Sequence, residues 1–333
     1  MQKEFDFIAI GDTVTDEFIA LKDAEVHCKI DTEACELCVR FGDKVPYENV
    51  ETVYAVGNAA NAAVSAARLG LQSALAADIG DDELGTKMLE TLTMHGVGTG
   101  FVRIHEGMES NHHYVLRYQA ERTILIRHHE YPYALPAVGH PRFIYLSSLA
   151  EHSLSYHHEI AKYLSENTDT FFAFQPGTFQ IKLGAKELEA LYKEADIFFC
   201  NKEEAARILG HEHENITDML KQMSELGPKI VVVTDGPKGA YAYDSKDGSV
   251  WRVPMYPDPK PPLERTGAGD AFASTVVAAL ALGEPLEKAL AWGPINSMSV
   301  VQYVGAQRGL LTREQIERHL KEAPPEYRVE KMS

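Results

Sequence analysis

Four short, mostly apolar runs in the middle of the chain, Phe143 to Leu149, Phe171 to Phe174, Asp196 to Cys200 and Lys229 to Thr234, constrain the fold more than any other feature. Helical patterns fill the gaps between them, at Leu154 to Ser165, Ala185 to Glu194 and Lys202 to Leu209. Apolar runs this short, bounded by polar segments, suit strands buried on both faces. Strands alternating with helices predict an α/β fold whose mostly parallel sheet is covered on both sides. The same rhythm opens the chain. Phe5 to Ile10 reads as a strand stopping at Gly11-Asp12, Asn58 to Leu69 as an Ala-rich helix stopped by Gly70, Ser73 to Ile79 as a strand, and Glu83 to His95 as a helix closed by Gly96. The last third is helical, at Gly269 to Leu282, Leu286 to Val304 and Arg313 to Leu320, before a polar tail from Ala323.

Two stretches break this rhythm. Residues 18–55 hold no useful helix-period pattern, and residues 100–130 contain two β-rich runs, HHYVLRYQ and RTILIRHH, around a polar turn. They read as one small β appendage made from two excursions of the chain, leaving 1–17, 56–99 and 131–333 as the core. A chain of 333 residues is long enough for such a core with an appendage. The formal net charge of −17, with no Lys/Arg run, argues against a nucleic-acid partner. It leaves a nucleotide ligand open, because backbone amides and Mg²⁺ supply positive field locally. No apolar run reaches the length of a membrane span, and the opening MQKEFDFIAIGD has no signal-peptide pattern, so a cytoplasmic protein without a membrane partner is expected.

The sharpest local motif is Thr266-Gly267-Ala268-Gly269-Asp270, opening a helix. Its small residues let a backbone approach a ligand closely, and amides at a helix N-terminus favour an anion. A carboxylate beside an anion site is repulsive unless it has a task, and accepting a proton from an attacking hydroxyl is such a task. A second strand-to-helix turn, Gly57-Asn58-Ala59-Ala60-Asn61, permits close approach, with Asn61 offering donors and an acceptor to a polyol. Asp16 follows the first strand, where an open α/β sheet binds ligands. Asn201 and Glu204 follow a buried strand, as a helix cap or as partners of a hydrated Mg²⁺. Thr234, Gly236 and Gly239 sit in a glycine loop between two strands, bordering a nucleotide or making a plain hairpin.

In order and spacing these segments resemble the ribokinase/PfkB family of sugar and nucleoside kinases over nearly the whole chain. The resemblance implies a three-layer α/β/α core with a β-stranded lid, ATP and Mg²⁺, and a sugar or nucleoside acceptor. It implies Asp270 as catalytic base and the amides of Gly267, Ala268 and Gly269 as an anion hole. Asp16, Gly57 and Asn61 are implied on the acceptor side. Asn201, Glu204, Thr234, Gly236 and Gly239 are implied on the nucleotide side, with Glu204 reaching Mg²⁺ through water and Asn296 near the adenine. Lid strands in this family often pair, so a homodimer through the lid is a further expectation. Val56 and Val14 replace the family's usual Gly and Asn in the acceptor pocket. Glu264-Arg265 replaces Asp-Thr before the anion hole, which bears on a monovalent-cation site, and Gln175 stands where Asn is frequent. These departures motivate the alternative of a non-catalytic ligand-binding or regulatory protein on the same fold. No G-x-G-x-x-G follows the first strand, which disfavours an NAD-dependent dehydrogenase.

Cys28, Cys35 and Cys38 lie in the proposed lid, and the Cys-x-x-Cys pair has metal-ligand spacing. They are read as a structural zinc site, or as free thiols or a redox-labile pair. The doublets His112-His113, His128-His129 and His157-His158 make poor chelators, because neighbours on a strand diverge, and read as surface or partly packed residues. A phosphorylated acceptor would need a cationic clamp, for which Arg103, Arg117, Arg122 and Arg127 are the candidates.

Overall fold

The computed structural model describes residues 5–28, 35–118, 121–211 and 215–332. Its strands in chain order are β1 (Phe7–Ile10), β2 (Val14–Leu21), β3 (Glu25–Cys28), β4 (Cys35–Cys38), β5 (Tyr47–Val56), β6 (Ser73–Gly80), β7 (Gly98–His105) and β8 (His112–Tyr118). There follow β9 (Glu121–Arg127), β10 (Phe143–Leu146), β11 (Phe171–Phe174), β12 (Ile197–Asn201), β13 (Ile230–Thr234), β14 (Ala240–Asp244), β15 (Ser249–Val253) and β16 (Glu330–Lys331). Ten of them form one sheet in the order β16-β15-β14-β13-β12-β11-β10-β1-β6-β7. From β13 to β7 every pairing is parallel, and the three pairings from β13 to β16 are antiparallel.

Alternation along the strands divides their apolar residues between two cores. Phe7, Ala9, Leu75, Tyr145 and Phe199 join one, under the helices Asn58–Arg68, Ala268–Ala281 and Leu286–Val300. Ile8, Ile10, Leu146, Phe174 and Phe198 join the other, under the helices Leu154–Glu166 and Ile216–Glu225. Fully burying one such side chain is worth roughly 1.5–3 kcal/mol, so the double-sided burial of these strands is what holds the three layers together. The α/β/α core expected from the alternating runs is therefore present. Because the central strands run parallel, their C-terminal ends, at Ile10, Leu146, Phe174, Asn201 and Thr234, lie along one edge of the sheet.

A separate four-stranded sheet, ordered β5-β2-β8-β9, rises from that edge. It is antiparallel except for the β2–β8 pairing. Strand β7 belongs to the large sheet, parallel to β6, rather than to the appendage expected over 100–130. As the sheet's edge it is only partly covered, and its half-exposed pattern resembles that of an appendage strand. Strand β2 likewise begins at Val14 and crosses the boundary expected after residue 17. The helices Thr178–Leu183 and Ile216–Glu225 were not anticipated.

Strands β3 and β4 form a small exposed hairpin in which Cys28 lies opposite Cys35, and the two are joined in a disulfide. The expectation of a zinc bound by Cys28, Cys35 and Cys38 is corrected. Two of the three sulfurs are spent on each other, and among the described residues no group of three or more His, Cys, Asp or Glu side chains is placed to hold a metal. No described helix is long and apolar enough to cross a membrane.

Candidate active site

Gly267 turns the chain into the Ala268–Ala281 helix with φ of 77°, in the left-handed region, and a Cβ there would lie 2.2 Å from that of Ala306. Only glycine satisfies both constraints. The helix starts without a side-chain cap, which leaves its first amides as donors at the positive end of the helix dipole. Asp270, in that first turn, is only 9% exposed. Its Oδ1 accepts hydrogen bonds from Asn58 Nδ2 at 2.7 Å and Gln175 Nε2 at 3.2 Å, and its Oδ2 accepts from Asn61 Nδ2 at 2.9 Å. Burial pushes this carboxyl above the ordinary carboxylate range, against the opposing pull of those three amides and of the Arg122 charge.

Asn58 and Asn61, three residues apart at the start of one helix, share a face and so reach one carboxylate together. Gln307 Nε2 donates to Asn61 Oδ1 at 3.0 Å and to the Ala55 carbonyl at 2.7 Å. Tyr145 donates its hydroxyl to Gln175 Oε1. Asn61 is 4% exposed, one N–H of its amide holding Asp270 and its oxygen accepting from Gln307, so its expected contact with an acceptor falls to its second N–H and second lone pair.

A second polar group lies where β1 hands over to the small sheet. Asp12 accepts from the Tyr133 hydroxyl at 2.7 Å and lies 3.2 Å from His128 Nδ1. Nε2 of His128 meets Nε2 of His113 at 3.0 Å, and Nδ1 of His113 faces Asp16 Oδ1 at 3.4 Å. That last contact has ion-pair distance without hydrogen-bond geometry, and Asp16 Oδ1 has no hydrogen-bond partner among the described residues. Asp16 is thus buried but retains an acceptor for a ligand hydroxyl. Gly57, at φ 101°, packs its backbone on this loop, since a Cβ there would lie 2.9 Å from the Asp12 carbonyl oxygen.

On the other side of Asp270 opens a cavity of about 250 Å³. Thr234, Gly236 and Gly239 form one wall, Ala268 and Gly269 the floor, and Met255, Tyr256 and Met298 an apolar flank. Asn201 and Glu204 do not line it. They form a reciprocal helix cap, Asn201 Oδ1 accepting from the Glu204 amide and Glu204 Oε2 from the Asn201 amide, both at 2.8 Å. Burial raises the Glu204 carboxyl, and the charge of Asp270 adds to the rise. Asn296 is fully buried, donating to Thr275 Oγ1 at 2.7 Å and accepting from the Leu311 amide at 2.9 Å. Asn296, expected beside an adenine, does not line the cavity, whereas its neighbours Ser297 and Met298 do, because successive helix residues point about 100° apart.

Asn58, Asp12, His113, His128 and Tyr133 escaped the sequence reading as site residues. Asn58 carried a usable signal, its three-residue spacing from Asn61. The histidines carried none, since the contact between His113 and His128 depends on the register in which β8 and β9 pair within one hairpin.

The chain matches the model of the pfkB family of carbohydrate kinases over residues 21–313, and it belongs to that family. It is 28% identical to a ribokinase of Bacillus subtilis over 272 residues, 78% of this chain and 86% of that one. It is 25% identical to an ATP-dependent 6-phosphofructokinase of Thermoanaerobacterium thermosaccharolyticum, over 80% of this chain and 84% of that one. Among solved structures, the ribokinase of Arabidopsis thaliana complexed with ribose and ATP superposes with a TM-score of 0.80 at 19% identity, covering 96% of this chain and 99% of that one.

Proposed function

We propose that this carbohydrate kinase transfers the γ-phosphoryl group of ATP to a hydroxyl of a sugar or nucleoside, with Asp270 as the general base. One observation carries the reading: a buried carboxylate, Asp270, lies in the first turn of an uncapped helix whose Ala268 and Gly269 line a cavity of about 250 Å³, held by amides from the helix that follows the Gly57 turn. The acceptor lies on the Asp16 side, and its reacting hydroxyl gives its proton to Asp270 as the oxygen attacks phosphorus in line. The amides of Gly267, Ala268 and Gly269 stabilise the charge spreading over the transferring group. The name of the Thermoanaerobacterium relative supports ATP as donor.

Mg²⁺ is expected to be held chiefly by the nucleotide's own phosphates, since among the described residues no group of three or more His, Cys, Asp or Glu side chains is placed to hold a metal. Glu204 and Asp270 feel one another's charge, a repulsion that a divalent cation bound with the phosphates relieves, and Glu204 would reach it through water. When bound, Mg²⁺ neutralises phosphate charge. Glu264 is buried beside the glycine loop, one oxygen accepting from the Gly305 amide and the other without a partner, which suits a monovalent cation there. The four-stranded sheet acts as a lid that excludes water during transfer. Its outer face, with Tyr114 and Leu125 exposed, is the surface for a homodimer.

The test is Asp270→Asn. It is expected to retain ATP binding, seen as an undiminished thermal shift, and to lower kcat by at least about 10²-fold, the ordinary worth of a positioned base. Turnover near the wild-type rate would remove Asp270 from the base role, and ATP binding without turnover on any acceptor in the unsubstituted protein would favour a binding protein.

A further inference from the structure

Four arginines stood as candidates for a cationic clamp, and their pairing separates them. Arg103 binds Asp78 at 2.7 Å and donates to the Pro132 carbonyl, while Arg127 pairs with Glu109. Neither the Arg117 nor the Arg122 side chain makes an ion pair or hydrogen bond with a described residue, and Arg122 Nε is buried without a hydrogen-bond partner.

Their placement is not that of solvated surface charges. Arg117 on β8 and Arg122 on β9 are directly opposite in the antiparallel register, so they lie on one face of the hairpin. Like charges so placed repel, and an anion between them reverses the sign of that interaction. Residues two apart on a strand share a face, so Arg117 shares its face with Val115 and His113. The partners of His113 and Val115 on β2 are Asp16 and Phe18, both buried. The arginine pair therefore looks to the same side as the unpartnered Asp16 oxygen, and Arg122 is near enough to Asp270 to act on its carboxyl.

We propose that Arg117 and Arg122 form an anion subsite under the lid, and that the acceptor is a sugar or nucleoside bearing a phosphate monoester or a carboxylate. This rests on the kinase reading above and narrows its acceptor. The acceptor's hydroxyl end meets Asp16 and Asp270, and its anionic end meets the guanidinium pair, whose planar forks bind either anion bidentately. Without those cations the acceptor would face Asp12, Asp16 and Asp270 in a chain of net charge −17 and be repelled.

The experiment compares ADP release with matched acceptors, neutral sugars and nucleosides against their phosphate monoesters and corresponding sugar acids, in the wild type, Arg117→Met and Arg122→Met. Turnover is expected on an anionic acceptor, with its KM raised about 10- to 100-fold in each variant and the KM for ATP unchanged. The phosphate and carboxylate arms identify which anion is taken. Preference for a neutral acceptor, with KM indifferent to both substitutions, overturns the subsite and leaves the kinase standing. A fall in kcat alone, equal for neutral and anionic acceptors, also overturns it, assigning the arginines to the transferring phosphoryl group. Thermal shift of Asp270→Asn by the same compounds reads binding without turnover. Stabilisation by an anionic compound that Arg122→Met abolishes supports the subsite even where no acceptor is phosphorylated, and no stabilisation by any of them refutes it. An unchanged shift by ATP shows that each variant is folded.

Discussion

At the residue scale, Asp270 is a charge taken out of water and returned three hydrogen bonds, from Asn58, Asn61 and Gln175. Burial still wins, and its pKa is raised. A base must be ionised to work, so kcat is expected to fall as the pH drops through a value above the ordinary carboxylate range. Gln175→Leu removes a bond that favours the charged form and should move that inflection to higher pH, read from the pH profile of kcat. Linkage has a definite sign here. A carboxylate whose pKa folding raises destabilises the fold at neutral pH, and that penalty vanishes as the pH falls through the raised value. The proposed base stood out in the sequence, because a carboxylate beside an anion loop has few other reasons to be there. Its supports were only half legible. Asn61 was visible but its bond to Asp270 was not, since a sequence shows that an amide is near a site and not which way it points.

At the scale of elements, the glycine turn and the helix it opens act as one device. Gly267 holds a left-handed conformation against Ala306, and the helix begins uncapped so that its amides remain free. Gly267→Ala meets both the backbone penalty, roughly 1–2 kcal/mol, and a contact that Ala306 cannot yield without moving its own loop. The expected outcome is a Tm lowered by several degrees, with turnover lost more completely than stability because the amides shift. Differential scanning calorimetry and ADP release measure the two. The long alternating elements were legible because burial on two faces imprints a continuous apolar run on each strand. Edge strand β7 was assigned to the appendage because it is half covered, as an appendage strand is. The short helix Thr178–Leu183 buries only Gln180 and left no apolar stripe to read.

At the scale of the whole molecule, the large sheet carries the stability and the small one carries Asp16 and His113 of the polar group beside β1. The β3–β4 hairpin stands apart from both, since neither strand has a fully buried residue. Reducing its disulfide should therefore change global stability by no more than about 0.5 kcal/mol, a Tm shift of about 2 °C or less, measured with and without reductant. A larger shift would mean that the hairpin braces the small sheet. The fold class and the existence of two excursions could be read from sequence, because each follows from local pattern. The meeting of His113 with His128 could not, since it depends on the exact register of the β8–β9 hairpin, which the two β-rich runs do not fix by themselves. One feature of Asp270 reaches as far as the product. A carboxylate has about four lone-pair directions, three are occupied by amides, and the last belongs to Oδ2. On the proposed role of Asp270, a polyol with several equivalent-looking hydroxyls can offer only one of them along that single remaining direction, which predicts a single positional isomer as product.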